Sequence, residues 1–231
     1  MRPLCWQRQQ LGLNFCKPSL RTNPTALAAK NTYHHGDLRQ SLIEAAIALI
    51  REEGISNLSL RHVARRVGVS HNAPYRHFAD KEALLAAVAE QGFQALRAEM
   101  ESAQQVVPPG SPQRLEAIGI AYVNFALAHP AHYRLMFGDY RCNFDQNSAL
   151  AEAAHQSFMV LVNTIREGQM AGIFRPADPV NVARVAWSLV HGQSMLALDH
   201  KLQITPGEAL TEFLKFSAQM LIHGLANNSA T

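Results

Sequence analysis

The chain has 231 residues, a hydrophobic share of 48% and a net charge of +3, enough to bury one sizeable core or two small ones. No apolar run approaches the roughly 18 residues that span a bilayer. Cys5, Cys16 and Cys142 are odd in number, widely spaced and form no CxxC pair, which argues against a disulfide framework and a zinc knuckle and fits a reducing cytoplasm.

The small net charge hides a local asymmetry. Residues 1–30 hold 5 Lys/Arg and no Asp/Glu, whereas Asn31–Ala103 and Gln104–Thr231 each hold 8 against 9. The opening segment lacks a sustained helical period and the apolar core of a secretory signal. It reads as a disordered basic leader, with an arm along DNA and a misassigned start as alternatives. Within the balanced remainder, Gly54 to Ala79 contains no Asp or Glu yet carries Arg61, Arg65, Arg66 and Arg76.

Asp37 has the spacing to cap a first helix, with Gln40 completing a capping box. Leu38, Leu42, Ala45, Ala46 and Leu49 recur at helical spacing as its buried face, and Gly54 is the stop. A second helix follows Ser59 and ends at Gly68, with Leu60, Val63, Ala64 and Val67 inward. A third, capped by Ser70, is expected to run to about Phe78, and the short gap between them suits a helix-turn-helix. Asp80 caps a fourth helix that fades by about Ser102. Val107-Pro108-Pro109-Gly110-Ser111-Pro112 breaks the chain. Beyond it, helices are expected over 113–128, 131–137 and 148–170, from Pro179 to about Asp199, and from Pro206 to about Leu225, with 138–147 a loop. No strand alternation, repeat or low-complexity tract interrupts this all-α pattern. The expected domains are a leader over 1–30, a three-helix helix-turn-helix unit over 31–80, helix 4 (81–102) as connector, and a larger helical domain over 112–231.

Duplex DNA offers a groove that admits one helix between walls of phosphate. A reader needs hydrogen-bonding or small side chains on one face and cations and hydroxyls around it. The third helix supplies His71, Asn72 and Arg76 for base edges, Ala73 for close approach to a base, and Ser70, Tyr75 and His77 for phosphates. Ser59 at the start of the second helix aims free N–H groups at a phosphate, and Arg61 faces solvent or phosphate.

Leu58-Ser59-Leu60-Arg61, Val63-Ala64, Val67-Gly68-Val69-Ser70, Tyr75-Arg76-His77-Phe78 and Lys81-Glu82-Ala83-Leu84-Leu85 together resemble the TetR/AcrR family of transcriptional regulators. The resemblance covers Asp37 to about Phe93. Ala73-Pro74 departs from it, since many members carry Gly followed by a small or apolar residue there. The resemblance implies phosphate contacts at Tyr75, His77 and Lys81, base reading by the start of the third helix, and a divergent C-terminal domain that binds a small effector and dimerises through its last two helices. Trp187-Ser188-Leu189-Val190-His191-Gly192 resembles the WHG-type C-terminal domain of one branch.

The C-terminal sequence is consistent with those roles. The helix after Pro179 has one apolar stripe at Val182, Val185, Leu189, Gly192 and Leu196 and another at Ala183, Trp187, Val190 and Ser194, so it packs on two sides. The last helix, with Leu210, Phe213, Leu214, Phe216, Met220, Leu221 and Ile222, is also too apolar for a solvent face, and two such helices from each of two chains make a four-helix interface. Tyr122, Phe125, His129, Tyr133, Phe137, Phe158, Met159, Trp187 and His191, together with Met136 and Val162, are the candidates to line a hydrophobic pocket. His129, His132 and His155 lack the spacing of a zinc site, and no cofactor is expected. Neither a G-x-S-x-G elbow nor a Gly-rich phosphate loop is present, which argues against an enzyme. The expectation is a cytoplasmic, homodimeric repressor of a pseudo-palindromic double-stranded operator, released by a small hydrophobic effector and without a membrane segment. The alternative is a DNA-binding regulator controlled by a partner protein or acting constitutively.

Overall fold

The computed structural model describes residues 37–138 and 147–226. The leader over 1–30, all three cysteines and most of the loop expected over 138–147 lie outside the described residues. Within them the chain forms eight α-helices: α1 (Leu38–Glu53), α2 (Leu60–Val67), α3 (Lys81–Gln105), α4 (Pro112–Ala128), α5 (Pro130–Phe137), α6 (Ser148–Met170), α7 (Pro179–Leu198) and α8 (Glu208–Leu225), plus two 3-10 turns at Ile55–Asn57 and Pro74–Arg76.

The local signals act where their chemistry requires. Asp37 Oδ1 accepts from Gln40 N at 3.0 Å, Ser59 Oγ from His62 N at 3.2 Å, Asp80 Oδ1 from Ala83 N at 2.7 Å and Asp178 Oδ1 from Val180 N at 3.0 Å. Each satisfies an N–H that has no partner within its helix. The capping box at Asp37 is only half formed, however. Gln40 Nε2 turns outward to Glu44 Oε1 at 3.0 Å, and its Oε1 accepts from Gln91 of α3, a tertiary partner that replaces the return bond. The last helix begins at Glu208, two residues later than Pro206 suggests, after Gly207 at φ +114°.

The larger correction concerns the third helix. No α-helix spans Ser70–Phe78; a single 3-10 turn at Pro74–Arg76 stands there. Ala73 N donates to Ser70 O at 3.0 Å, Arg76 N to Ala73 O at 3.2 Å and His77 N to Pro74 O at 2.9 Å. In an α-helix capped by Ser70, residue 74 would donate its N–H to Ser70 O. Proline has none, so the tighter i→i+3 pattern takes over.

One apolar core runs from α1 to α8. The N-terminal half of α3 buries Leu84, Leu85 and Val88 against α1, and the C-terminal half packs Phe93, Leu96 and Met100 among α4, α5 and α6. Fully burying one Leu or Phe contributes about 1.5–3 kcal/mol, so the anchoring of α3 is strong along its length. The carboxyl end of α6 turns back through Phe174, which is 2% exposed; Arg175 N donates to Leu225 O at 2.8 Å, tying this turn to the end of α8.

Phe174 needs the absence of a side chain at Gly168. A Cβ there would lie 2.3 Å from Phe174 Cδ2. Overpacking of this kind costs about 1–3 kcal/mol, against a helix-propensity gain of about 1 kcal/mol. Gly168→Ala is therefore expected to lower the thermal midpoint by several degrees, as read by circular dichroism. An unchanged or raised midpoint would contradict this packing.

Candidate nucleic-acid interface and buried cavity

The acid-free segment folds into a surface of donors on an apolar support. Leu58, Leu60, Val63, Ala64, Val67, Pro74 and Phe78 are buried, while Arg61, Arg65, Ser70, His71, Asn72, Tyr75, Arg76 and His77 are exposed and Ala73 is half-buried. Gly68 makes the turn between the two elements at φ +80° and donates to Ala64 O at 2.9 Å, with Val69 N on the same carbonyl at 3.0 Å. A left-handed residue in this position is most readily glycine. Among the described residues Arg61, Arg65 and Arg76 pair with no acid, whereas Arg66 is held by Glu52, which lowers the Glu52 carboxyl below its usual range. Lys81, at the first turn of α3, donates from Nζ to Ile55 O at 2.8 Å and so ties α3 to the turn that precedes α2. Ser59 is exposed and its hydroxyl serves the cap of α2.

On the far side of α3, residues of α3 to α8 line a cavity of about 490 Å³ with an almost wholly apolar wall. Phe93 and Met100 of α3, Tyr122 of α4, Phe137 of α5, Phe158 of α6 and Trp187 of α7 contribute to it. One edge of the wall is backed by a polar aromatic cluster. Trp187 Nε1 donates to Tyr122 Oη at 3.0 Å, Tyr133 Oη donates to Tyr122 Oη at 3.1 Å, and His191 Nδ1 lies 2.8 Å from Tyr133 Oη and 3.3 Å from Tyr122 Oη. Burial raises both phenols, Tyr133 to about 12, and lowers His191. At neutral pH the cluster is therefore uncharged, and the Trp187 N–H, the two phenols and His191 Nδ1 face one another.

Two family models match the chain: "Bacterial regulatory proteins, tetR family" over residues 42–88 and "Tetracyclin repressor-like, C-terminal domain" over residues 115–221. The chain belongs to the TetR family of transcriptional regulators. Among solved structures, a protein of unknown function from Rhodococcus sp. RHA1 is 37% identical, with a TM-score of 0.76 over 86% of this chain and 100% of that one. A TetR-family regulatory protein from Rhodococcus RHA1 is similar in fold at 21% identity, with a TM-score of 0.61 over 81% of this chain and 96% of that one. The fatty acid degradation regulator FadR from Bacillus halodurans is similar in fold at 16% identity, with a TM-score of 0.66 over 81% and 95%. TetR-family regulators bind DNA operators, function as dimers and are not enzymes.

For this TetR-family chain, Ser59, Arg61, Ser70, His71, Asn72, Ala73, Tyr75, Arg76, His77 and Lys81 fall within one helix-turn-helix unit and the helix start that follows it. Of the eleven pocket candidates, Tyr122, Met136, Phe137, Phe158 and Trp187 line the cavity. Tyr133 and His191 stand behind Tyr122, and His129 turns to Glu99 of α3, with 3.6 Å between Nε2 and Oε1. Phe125 and Val162 are buried and Met159 half-buried, all three away from the wall. Phe125 follows Tyr122 on α4 by three residues but is buried in the core, and His129 is the residue that ends α4; of the three only Tyr122 reaches the cavity. Gln193 of α7 and Ser217 of α8 also line the cavity. The signal for Gln193 was its place three residues after Val190 on the inward stripe of α7, where a polar side chain is out of pattern. No group of three or more His, Cys, Asp or Glu side chains gathers among the described residues, and no described helix is long and apolar enough to cross a membrane.

His132, on α5 beside His129 and Arg51, is lowered to about 4 by burial first and by those two neighbours second, against 6.5 when unperturbed. As pH falls through that interval the unfolded chain takes up the proton before the folded one, so folding stability drops between about pH 6.5 and 4 and is unaffected above it. His191 shifts in the same direction. Urea denaturation of the wild type should show a clear loss of stability from pH 7 to pH 5, and His132→Gln should reduce that loss. Equal pH slopes in the two proteins would contradict it.

Proposed function

We propose that this regulator is a cytoplasmic, homodimeric repressor that holds a pseudo-palindromic operator and releases it when a small hydrophobic effector enters the cavity. The observation that carries the reading is the apolar cavity of about 490 Å³ whose wall includes Phe93 and Met100 of α3, the helix whose first residue is bonded to Ile55 beside α2. Such a volume lies within the range of small-molecule pockets. A molecule seated there bears on the same rigid element that supports the helix-turn-helix. Effector binding shifts the DNA-binding equilibrium only by its differential affinity for the two dimer geometries.

In this reading the 3-10 turn and the segment before it enter the major groove. His71, Asn72, Ala73 and Arg76 meet base edges, and Ser59, Arg61, Ser70, Tyr75, His77 and Lys81 meet phosphates. The surface apolarity of the last two helices supports dimerisation through them. Val185 is 61% exposed, Phe216 57% and Met220 52%, and Leu196 is also exposed, a density of large apolar side chains that suits an interface.

The decisive experiment is footprinting on genomic fragments that include the region upstream of the protein's own gene. The expected result is protection of an inverted repeat whose half-sites lie about one helical turn apart or slightly more, from a protein that sediments as a dimer. Phe216→Glu should shift sedimentation to the monomer and remove the footprint. Absence of protection at any inverted repeat would sink the repressor reading, and a dimeric Phe216→Glu would sink the α7–α8 interface.

The division between base and phosphate contacts has its own test. Arg76→Ala should narrow the affinity gap between the operator and unrelated duplex, by about 1–3 kcal/mol if Arg76 is bidentate to a base. Arg61→Ala should weaken binding to both alike and reduce the slope of log affinity against log salt by about one. Sequence-blind losses in both variants would contradict these roles.

A further inference from the structure

Within the apolar wall of the cavity, hydrogen-bonding capacity is left over at the joint of α7 and α8. Gln193 on α7 is 6% exposed, and its Nε2 donates to Ser217 Oγ of α8. Among the described residues nothing donates to Gln193 Oε1 and nothing accepts from the Ser217 hydroxyl. Both residues line the cavity. Of the other polar groups on the wall, Ser157 Oγ donates to Ala154 O at 2.8 Å and Tyr122 belongs to the aromatic cluster, while the exposed Arg184 donates to Asn181 Oδ1 at 2.8 Å and keeps further N–H donors toward solvent. Gln193 Oε1 therefore keeps an acceptor position on the cavity side of a largely buried residue.

We propose that the effector is an apolar molecule carrying one neutral hydroxyl-type group, which donates to Gln193 Oε1 and accepts from Ser217 Oγ–H at the joint of α7 and α8. This rests on the reading that the cavity takes a hydrophobic effector. Three points fix the chemistry. The cavity wall is almost wholly apolar, so the bulk of the ligand is apolar. The unfilled pair offers one acceptor and one donor side by side, which a hydroxyl matches with a single oxygen. Gln193 and Ser217 are themselves neutral, so no charge on that part of the wall compensates the desolvation of a buried carboxylate or ammonium. The site also bridges the two helices whose outer faces carry Val185, Leu196, Phe216 and Met220, so a ligand here acts directly on their mutual packing.

The test uses the full-length protein and two probes of similar apolar length, 1-octanol, which donates and accepts, and octyl methyl ether, which only accepts. Titration calorimetry gives the alcohol-to-ether affinity ratio in wild type, Gln193→Leu and Ser217→Ala. Comparing ratios cancels the different hydration of the two probes. The expected result is a ratio about tenfold lower in Gln193→Leu, equivalent to about 1.4 kcal/mol, through loss of alcohol affinity with the ether little changed. Ser217→Ala should weaken both probes and leave the ratio little changed, since either oxygen accepts from Ser217 Oγ–H. Circular dichroism verifies folding, and Gln193→Met replaces Gln193→Leu if the latter does not fold. A ratio unchanged in Gln193→Leu overturns this assignment alone and leaves the hydrophobic-effector reading standing. If neither probe binds the wild type or raises its thermal midpoint, that reading fails and the assignment falls with it.

Discussion

The burial of α3 is the constraint on which the other parts depend. Ten of its 25 residues are buried, and small side chains among them, Ala86, Ala87, Ala89 and Gly92, let neighbouring helices approach closely. At Gly92 a Cβ would lie 2.5 Å from Met136 Sδ, so α5 is seated against α3 with no room to spare. A helix of this length spans about 37 Å. Its start is capped by Asp80 and joined through Lys81 to the Ile55–Asn57 turn, and its far half forms cavity wall. Packed cores do not deform smoothly, so a displacement at Phe93 or Met100 is carried as a movement of the whole element.

The nucleic-acid face is built on this support by a different logic. Proline at position 74 removes the donor an α-helix would need, and the chain answers with a 3-10 turn anchored by buried Pro74 and Phe78. This leaves His71 and Asn72 in the turn before it, Tyr75 and Arg76 on it and His77 just after it, all exposed. The departure from the family pattern at Ala73-Pro74 thus has a local structural consequence, confined to a few residues. The neighbouring Arg66 is neutralised by Glu52, which narrows the cationic surface to Arg61, Arg65 and Arg76 among the arginines of α2 and the turn.

At the other end, the aromatic cluster around Tyr122 shows how a polar group can belong to a cavity without being open to a ligand. Tyr122 lines the cavity, but its hydroxyl already meets Trp187, Tyr133 and His191. Such a closed network is rigid and specifies one packing of α4, α5 and α7. The contrast with Gln193 and Ser217, where capacity remains, separates a structural polar cluster from a recognition point within the same wall.

How much of this was legible beforehand follows from the range of the forces involved. Helix existence, most boundaries, the caps at Asp37, Ser59, Asp80 and Asp178, the inward faces of α1 and α2 and the exposed cationic face were readable, because capping, periodicity and turn chemistry act within a few residues. The family resemblance was equally local, carried by motifs in consecutive elements. The third helix is where local signals mislead, since the effect of Pro74 depends on its register relative to Ser70, and boundaries of short helices are decided by a single hydrogen bond. The return bond of Gln40 was lost to Gln91, 51 residues away. The cavity could be expected from the apolar C-terminal helices, but its lining depended on how each helix is rotated about its axis. That rotation placed Tyr122 on the wall and left Phe125 off it, and it brought Gln193 to Ser217. The sequence by itself determined which segments are helical and which faces are apolar; only the tertiary structure decided which polar groups meet, because those contacts join residues from separate helices and no local rule connects them.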